Sequence, residues 1–554
     1  MTTPSRTPAV AVTRALAASL TILTVTLAAP AHASFEELGV HLGDRVDRVI
    51  HWNGAFRIRS NLFHNLDLDR GPTPSNQLLF PVPLADPTAQ LLTHVDMRLR
   101  TDLTFVAPNG GLAAHLRFDL FDDLALGSTP DGPPSAATGQ SPSDATVRIK
   151  RAWAETLTPF GVLAAGRMGS HWGLGLLTHG GDDPDSDSGD AADRIAFSTP
   201  VLGLVWSLAY DFTAIGPTTT RRGGTQSIDL DPSDNVSTLT FAVLRYNDAN
   251  AHRRRLRANK STIDLGAYVS HRWQDKDVPA SYAPTNTPTP ITPSQVVARG
   301  FTATALDAWL RVTHPAFTLE AEAAFLTAGY DQASLIPGVD LNQAVTATQW
   351  GFAIQSRFGH LDLPHPSRSP SQGPPRTATD SDGGLSFGLD LGAASGDPAF
   401  GFGVDQPLLS TTPQRGDLDG SQLRLPYDAS FSNFRFHPDF RIDQILFREL
   451  IGTVTDAFYV RPHARLTVPA FLSGTLRFDL ALIASWALEP TSTPGQSSPL
   501  GVEVDPSIAY VSDDGFRLDI DYAMLVPLSG LDNPALGLSA RPAQLWRFRL
   551  GYHF

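Results

Sequence analysis

The chain has 554 residues with a formal net charge of −14, no cysteine, 44 prolines and 45 glycines. The acidic balance argues against nucleic acid as a partner, and the lack of cysteine excludes stabilisation by disulfides. The patterns Cys-x-x-Cys, Gly-x-x-x-x-Gly-Lys and His-Glu-x-x-His do not occur, so the sequence carries none of these redox, nucleotide-binding or zinc-protease motifs.

The first residues have the pattern of a cleaved secretory signal peptide. Arg6 and Arg14 precede an apolar run, and residues 31–33 read AHA, a small-residue cleavage site. An uncleaved membrane helix is the alternative, but the run is short for a bilayer. We therefore expect residues 1–33 to be removed and residues 34–554 to form one domain, in which no stretch of about 18 apolar residues predicts a membrane helix.

Strict two-residue alternation begins in the next part of the chain. In residues 94–105, HVDMRLRTDLTF, apolar and charged side chains fall on opposite faces, and residues 112–120 repeat the pattern after a turn at 107–111. A period of two predicts strands rather than helices. The same pattern occurs in residues 317–325, 385–391, 475–482 and 516–524.

Three features favour a transmembrane antiparallel β-barrel over a soluble sandwich. The strands approach the ~9–11 residues that cross a bilayer at a tilt, one face is charged enough for a wet lumen, and connectors alternate between short and long. The walk along the chain predicts an all-β barrel of eighteen strands, with sixteen as the alternative, long extracellular loops and short periplasmic turns. The predicted long connectors are 64–91, 127–145, 174–193, 214–235, 274–299, 330–343, 395–455, 489–500 and 527–542. Between them, on the periplasmic side, lie 107–111, 158–161, 199–203, 247–260, 313–317, 359–383, 468–474 and 512–515, of which 247–260 and 359–383 are not tight turns.

Arg151 conflicts with this alternation, because it falls on the lipid side beside Ile149 and Trp153. An arginine at the midplane of the lipid face costs about 2–4 kcal/mol, so we expect either a β-bulge near this residue or an error in the assigned alternation.

Residues 181–194 form an aspartate-rich segment. Asp183, Asp185 and Asp187 have the spacing of a calcium loop, and Asp190 adds a further carboxylate. The glycine of an EF-hand comes one place late, however, and no glutamate closes the site. We expect either a solvated acidic loop or a calcium site here, and no other cofactor.

Residues 440–452 depart from the period of two. Ile442, Ile445, Leu446 and Leu450 follow helical spacing, which predicts a short amphipathic helix within the long 395–455 connector. The length of this connector favours a position inside the barrel as a constriction. A helix lying over the barrel mouth is the alternative.

The last strand, LWRFRLGYHF, is apolar and largely aromatic on one face and polar and basic on the other. The aromatic row ends at Phe554 and resembles the assembly signal of Gram-negative outer-membrane barrels. This resemblance implies insertion into outer-membrane lipid by the barrel-assembly machinery, with the last strand closing against the first.

Three stretches resemble signature segments of an uncharacterised family of predicted Gram-negative outer-membrane β-barrels: GRMGSHWGLGLL (166–177), GDDPDSDSGDAADR (181–194) and FRELIGTVTDAFYVRP (447–462). The layout is distantly similar to alginate-export-type porins, which are eighteen-stranded channels. The first resemblance implies no activity, and the second implies a channel without specifying its solute.

Basic residues dominate one side of the predicted lumen. Closure makes the arginines of both ends one continuous arc that we expect to face water, with an acidic arc opposite. Such a wall favours anionic solutes, whereas simple pairing of arginines with aspartates on neighbouring strands is the alternative. The predicted pore-lining residues are Arg57, Arg59, Arg98, Arg100, Arg117, Arg148, Arg167, Arg461, Arg465, Arg547 and Arg549, and, on the acidic side, Asp264, Asp307, Glu320 and Glu322.

We therefore predict a porin-like outer-membrane channel for passive passage of small polar, anionic solutes or an anionic saccharide. The alternatives are a non-conducting surface binding or adhesion barrel and a barrel hydrolase. No enzyme is expected, because a Gly-x-Ser-x-Gly elbow is missing and Ser170, His171 and His179 lie in a single loop.

Overall fold

The computed structural model describes residues 35, 38, 39, 42, 49–127, 147–213, 234–247, 249–277, 296–334, 343–359, 383–404 and 413–554. The predicted signal peptide, residues 1–33, lies outside these residues. No helix in this part of the chain has the length and apolar character needed to span a membrane.

Eighteen antiparallel strands form a closed barrel, which confirms the predicted fold class and strand number. A nineteenth strand of two residues, β14, pairs in parallel with β12 and is not part of the wall. The strands are β1 (Ile50–His64), β2 (Leu91–Val106), β3 (Leu112–Ala125), β4 (Val147–Thr158), β5 (Gly161–Gly169), β6 (Ala191–Val201), β7 (Leu204–Thr213), β8 (Val236–Arg245), β9 (Thr262–Gln274), β10 (Phe301–His314), β11 (Phe317–Tyr330), β12 (Val345–Gly359), β13 (Gly384–Ala394), β14 (Ser430–Phe431), β15 (Ala457–Val468), β16 (Gly474–Ala487), β17 (Pro499–Ser512), β18 (Phe516–Pro527) and β19 (Ala543–His553).

Pairing of the first and last strands closes the wall. Their register runs from Ala55 opposite His553 to His64 opposite Gln544. Beyond the end of β19, Phe554 and Gly54 exchange two main-chain hydrogen bonds of 3.0 Å, and the ring of Phe554 meets Trp52 edge-on at 5.5 Å. Because a closed barrel has no free edge, every strand of the wall satisfies its backbone groups on both sides.

The outer face of the barrel is apolar, as the alternation predicts. On β19, Trp546, Phe548, Leu550 and Tyr552 point outward and are 40–47% exposed. The intervening Arg547 is 1% exposed and points inward. An exposed apolar band around a charged interior is the surface that a bilayer covers.

The connectors follow the predicted long and short alternation. The predicted short connector 247–260 contains a nine-residue helix, α1 (Ala249–Arg257), and most of the predicted connector 359–383 lies outside the described residues. Short helical turns occur at Leu446–Leu450, Pro490–Ser492 and Ser529–Leu531.

A register shift in β4 resolves the conflict at Arg151. Arg117 pairs with Arg151, but the next residue, Phe118, pairs with Ile149, so Lys150 is the extra residue of a β-bulge. The bulge turns Arg151 into the interior, where it pairs with Asp182 at 3.1 Å. The expected bulge is therefore present, and no arginine faces lipid at this position.

Residues from the N-terminal part of the chain lie inside the barrel against β5. Leu42 is fully buried in a cluster with Val162, and Phe35 and Leu38 pack near Met168 at the other end of the strand. The inner face of β5 is therefore apolar, although most of the inner wall is charged.

This packing corrects the predicted lumen position of Arg167. Arg167 lies on the outer face of β5, where it forms an ion pair of 2.7 Å with Asp193, and both side chains are 50% exposed. Strict alternation cannot show which face of β5 is internal, because the apolar face is covered by distant residues rather than by lipid.

Candidate functional site

Two extracellular connectors fold into the barrel and meet there. We call them loop 170–190 and loop 395–456, the latter described over 395–404 and 413–456. In loop 395–456, Phe402, Phe434, Phe436 and Phe440 are each at most 7% exposed and form an apolar core inside the barrel. The predicted constriction is thus present as two loops rather than one.

The predicted helix at 440–452 is much shorter than its sequence pattern indicated. Only Leu446–Leu450 is helical, as a single π-helical turn, and Ile442 and Ile445 are buried without continuing a helix. Neighbouring segments of the loop cover these apolar residues from several sides, so they need no amphipathic helix. The turn lies inside the barrel and not over its mouth.

The arginine arc is covered by loop 170–190, which corrects the expectation that it faces water. The arc is built by β1, β2, β3 and β19. Its guanidinium groups contact carboxylates and main-chain oxygens, and none of these side chains is more than 13% exposed: Arg57, Arg59, Arg98, Arg100, Arg117, Arg547 and Arg549.

Asp185 is the centre of this network. Its Oδ2 lies 2.6 Å from Arg448, 2.7 Å from Arg549 and 3.1 Å from Arg441. Its Oδ1 accepts a hydrogen bond of 3.2 Å from Arg59. One loop carboxylate therefore joins two wall strands to loop 395–456.

Asp187 extends the network by one step along the loop. It accepts hydrogen bonds from Arg59 at 2.8 Å, Arg441 at 2.9 Å and Arg57 at 3.1 Å. Asp439 of the other loop accepts the main-chain N–H groups of Asp187 and Ser188 at 3.1 and 3.0 Å. The two loops are thus bound to each other as well as to the wall.

Guanidinium groups set the charge state of these two loop carboxylates. Burial by itself raises the pKa of an aspartate, but for Asp185 the surrounding Arg448, Arg549 and Arg441 outweigh it and hold the pKa well below its ordinary value. The pKa of Asp187 is likewise lowered, because Arg59 and Arg441 outweigh burial. Both side chains are therefore ionised across the physiological range.

The main chain of loop 170–190 binds the remaining arginines. Arg98 donates to the carbonyl oxygens of Ser186 at 2.5 Å and Pro184 at 3.2 Å, and Arg100 donates to Gly181 at 2.6 Å. Asp182 forms ion pairs with Arg117 and Arg151. The loop therefore neutralises the arc with both side chains and carbonyl dipoles.

These contacts contradict the calcium site that was one of the two expectations for the aspartate-rich segment. A calcium site needs free carboxylate oxygens, but those of Asp185 and Asp187 bind guanidinium groups. Asp183 and Asp190 do not converge on the same point: Asp183 lies 3.7 Å from His179, and Asp190 lies 3.5 Å from His437. The segment is only partly solvated, because Asp185 and Asp187 bind arginines while Asp183 and Asp190 keep 55% and 42% exposure.

His179, His437 and Asp439 come close enough to be considered as metal ligands. The Nδ1 atoms of the two histidines accept main-chain N–H groups from Gly181 and Asp439. A neutral imidazole that accepts at Nδ1 carries its proton on Nε2, so neither ring offers a free lone pair toward the cluster. Asp439 is engaged by Asp187, Ser188 and Arg441, and the arrangement does not suit a metal.

The histidine of the hydrolase alternative is also occupied. His171 accepts the N–H of Gly180 at Nδ1, and its Nε2 lies 3.2 Å from the carbonyl oxygen of Gly173, to which it donates. Both nitrogens therefore hold the loop in shape, which leaves no nitrogen to activate Ser170 as a nucleophile.

Three further predicted pore-lining residues lie away from the two loops. Arg148 is at the extracellular rim, with its side chain 64% exposed, and it pairs with Asp122. Arg461 and Arg465 point inward from β15 and pair with Asp390 and Asp479. Their side chains keep 29% and 28% exposure, so water in the lumen reaches them.

The acidic arc is likewise engaged. Asp264 binds His252 at 3.0 Å and Arg311 at 3.2 Å, and Glu320 accepts the indole N–H of Trp309 at 2.8 Å. Asp307 points inward from β10 and is 3% exposed. Glu322 binds the main chain of loop 170–190.

Sequence reasoning missed Asp439, Arg441, Arg448 and Glu503, which bind loop 395–456 to its surroundings. Three of these lie in the loop, where no alternation assigns a direction to the side chain. Glu503 is on β17 and was not distinguished from other inward carboxylates. The only available signal was the density of charge in residues 435–449, which is unusual for a loop with so many buried apolar residues.

No protein-family profile and no curated protein sequence matches the chain. Among solved structures, it is similar to Pseudomonas aeruginosa OccK11 (OpdR), with 12% identity over 91% of this chain and 96% of that one and a TM-score of 0.43. It is similar to a BenF-like porin from Pseudomonas fluorescens Pf-5 at 11% identity, over 93% and 99% of the two chains, with a TM-score of 0.42. It is also similar to Acinetobacter baumannii OccAB2, with 10% identity over 91% of this chain and 98% of that one and a TM-score of 0.41.

At these identities and TM-scores, the likenesses carry no inference about solute or mechanism. The fold stands on the chain's own strands: a wall of eighteen antiparallel strands, closed by its first and last members, with an apolar band outside and charges inside. Such a wall is stable only in a lipid bilayer. The chain is a transmembrane β-barrel of eighteen antiparallel strands.

Proposed function

We propose that this barrel is a porin-like channel for passive passage of small polar solutes, narrowed by loops 170–190 and 395–456. The observation that supports the proposal is the polar lining of the barrel where the two loops lie. Ion pairs and hydrogen bonds centred on Asp185 and Asp187 hold the loops against the inner wall there. A lumen with such a lining attracts polar solutes and excludes apolar ones.

The proposed channel prefers anions less strongly than the number of arginines in the sequence suggests. The buried arginines are neutralised by loop carboxylates, so they act on a passing solute only through a screened field. The arginines that retain partial exposure supply the direct contacts, and Arg461 and Arg465 are two inward members of this group. We therefore propose a modest preference for small anions.

A planar-bilayer recording with the full-length barrel tests the proposal. Stepwise insertion of channels of uniform conductance in potassium chloride is the expected result, with a reversal potential in a salt gradient that favours chloride. Replacing chloride by larger anions should reduce the current once the ion no longer passes between the loops. A folded barrel that never conducts would contradict the channel function.

A second candidate is a non-conducting barrel that binds ligands or surfaces with its loops. It is favoured by the apolar core of loop 395–456, which fills part of the interior with buried aromatic rings such as Phe434 and Phe436. The same recording separates the two functions, because a plugged barrel inserts into the bilayer and passes no current.

A further inference from the structure

Loop 170–190 is attached to the wall by one buried glutamate. Glu322 of β11 is 2% exposed and accepts the main-chain N–H groups of Leu174, Gly175 and Leu176. The bonds from Gly175 and Leu176 are 3.0 and 3.2 Å long. Three consecutive amides thus converge on a single carboxylate.

Loop 395–456 is attached in the same way on another part of the wall. Glu503 of β17 is 1% exposed and accepts the N–H groups of Gln444 at 2.9 Å, Ile445 at 2.8 Å and Leu446 at 3.0 Å. The same arrangement, one wall glutamate that accepts three consecutive N–H groups, therefore occurs on two loops. These loops are far apart in sequence and are attached to different strands.

Three consecutive N–H groups pointing at one centre form a concave anion-binding arrangement. Within a barrel such irregular backbone is stable only if its amides are bonded to protein or to water in the lumen. The two oxygens of a glutamate side chain can together accept all three bonds, and each of these glutamates does so. Each glutamate therefore satisfies three main-chain amides of its loop inside the barrel.

The glycines of GRMGSHWGLGLL are explained by this attachment. A Cβ atom on Gly173 would lie 2.5 Å from Oε2 of Glu322 and 2.9 Å from the ring of Trp309. Gly175 has a φ of +85°, a left-handed conformation that other residues rarely adopt. The main chain reaches the carboxylate only because these two positions have no side chain.

We propose that Glu322 and Glu503 are positioning residues that hold the two loops inside the barrel and so set the cross-section open to solutes. The inference rests on the proposed channel function. The loops also bind each other through Asp187, Asp439 and Arg441, so release of one loop weakens the hold on the second.

Substitution by glutamine tests the attachment directly. In Glu322→Gln and Glu503→Gln, an NH₂ group replaces one acceptor oxygen and faces the loop amides, so at least one bond is lost. Amide hydrogen exchange of the full-length barrel should accelerate at least tenfold at residues 174–176 in the first variant and 444–446 in the second. Exchange rates equal to those of the parent would overturn the proposal.

Glu320→Gln is the matched control. Glu320 lies on the same strand and the same inner face as Glu322, but its carboxylate accepts the indole N–H of Trp309 in the wall. Exchange in both loops should stay at the parent rate in this control. If a glutamine variant does not fold, as judged by heat-modifiable migration, Glu322→Asp and Glu503→Asp keep the carboxyl group but withdraw it by one methylene, and the same acceleration is expected.

Single-channel conductance tests the second half of the proposal. The double variant with both glutamines should conduct at least twofold more than the parent. Faster exchange with unchanged conductance would overturn the claim that the loops set the cross-section. If the parent passes no current while exchange accelerates in the variants, the attachment is supported and the channel function fails, so the two failures are distinguishable.

Discussion

At the scale of single residues, Asp185 and Asp187 control how much of the arginine arc a solute can sense. Between them they contact Arg57, Arg59, Arg441, Arg448 and Arg549. The sequence shows that both residues are acidic but not where they lie. Their loop folds back onto β1, whose arginines are more than 120 residues away in the sequence.

Neutralising these aspartates should raise the preference for anions. In Asp185→Asn with Asp187→Asn the arc loses two negative charges, so the reversal potential in a potassium chloride gradient should shift toward that of chloride. The shift should shrink as salt rises, because the Debye length falls from ~10 Å at 0.1 M to ~3 Å at 1 M.

Asp183→Asn is the control for this double variant, because Asp183 is 55% exposed and lies beside His179. Because it removes a single charge outside the arginine network, its reversal potential should shift by less than half as much as that of the double variant. A double variant that keeps the parent value would show that solutes do not sense the arc.

Arg59 should matter for stability as well as for charge. It binds Asp96, Asp185 and Asp187 with its side chain 9% exposed, so Arg59→Ser removes one guanidinium partner from three carboxylates, of which Asp96 is fully buried. Breaking such a buried pair costs about 3–5 kcal/mol. Urea unfolding of the barrel in lipid vesicles should show a midpoint well below that of the parent.

Arg465→Ser is the comparison for this variant, because Arg465 and Asp479 are both 28% exposed and an exposed pair contributes about 0–1 kcal/mol. Equal midpoints for the two variants would contradict the buried network. The sequence predicted that the arc faces water. The structure reverses this expectation, because the covering loop is invisible to local alternation.

At the scale of elements, strands were predictable and loops were not. Alternation over about ten residues shows which side chains of a strand share a face. The wall, the turns and the bulge at Arg151 therefore follow from local sequence. The inward position of a loop depends on partners such as Glu322 and Glu503, and the exception at Arg167 depends on Phe35 and Leu38, both distant in the chain.

The contact between the two loops should resist moderate acid. The folded pKa values of Asp185 and Asp187 lie below the ordinary value of about 3.9. A lowered folded pKa gives stability that is complete above the unfolded pKa and is lost as the pH falls through the folded one. Protection of the Asp187 and Ser188 amides should therefore be constant from about pH 8 to 5 and decline below about pH 4.

Wall amides supply the reference for this measurement, since the strand ladder contains no titrating partner. The amide of Arg59 in β1 is suitable. Loss of protection at Asp187 near neutral pH, with the wall unchanged, would contradict the assignment of its carboxylate to the arginines.

The resemblance to an uncharacterised barrel family also belongs to this scale. Two of its stretches, 166–177 and 181–194, cover most of loop 170–190, and the third, 447–462, contains Arg448, which binds Asp185. The family remains a prediction, since no profile matches. The structure explains the residues of those stretches. The glycines let the main chain approach Glu322 closely, the aspartates bind the arginines of the wall, and Arg448 binds Asp185.

At the scale of the whole molecule, the last residue should be needed for a complete wall. Deleting Phe554 removes two main-chain bonds to Gly54 and the contact with Trp52. The folded, heat-modifiable fraction in the outer membrane should fall. Tyr552→Leu is the control, because it keeps the strand and its outward apolar face. Equal folded fractions for the deletion and the parent would contradict this role.

The strand count and the closed architecture were predictable because they depend on parity and alternation, which are summed over the entire chain. A single misplaced connector, such as 247–260 with its helix, does not alter them. The interior was less predictable, because its charge balance depends on which loops enter.

Because β19 closes the barrel, the wall can be completed only after the last strand has been synthesised and exported. Arg547 bonds to Asn61 across 486 positions of sequence, whereas the other wall strands pair with strands that neighbour them along the chain. Until the final strand arrives, the fifteen residues of β1 keep an open edge of the kind that recruits foreign chains. A nascent copy must therefore be shielded until its export is finished, and a copy interrupted at any earlier point is an open, aggregation-prone sheet instead of a smaller pore.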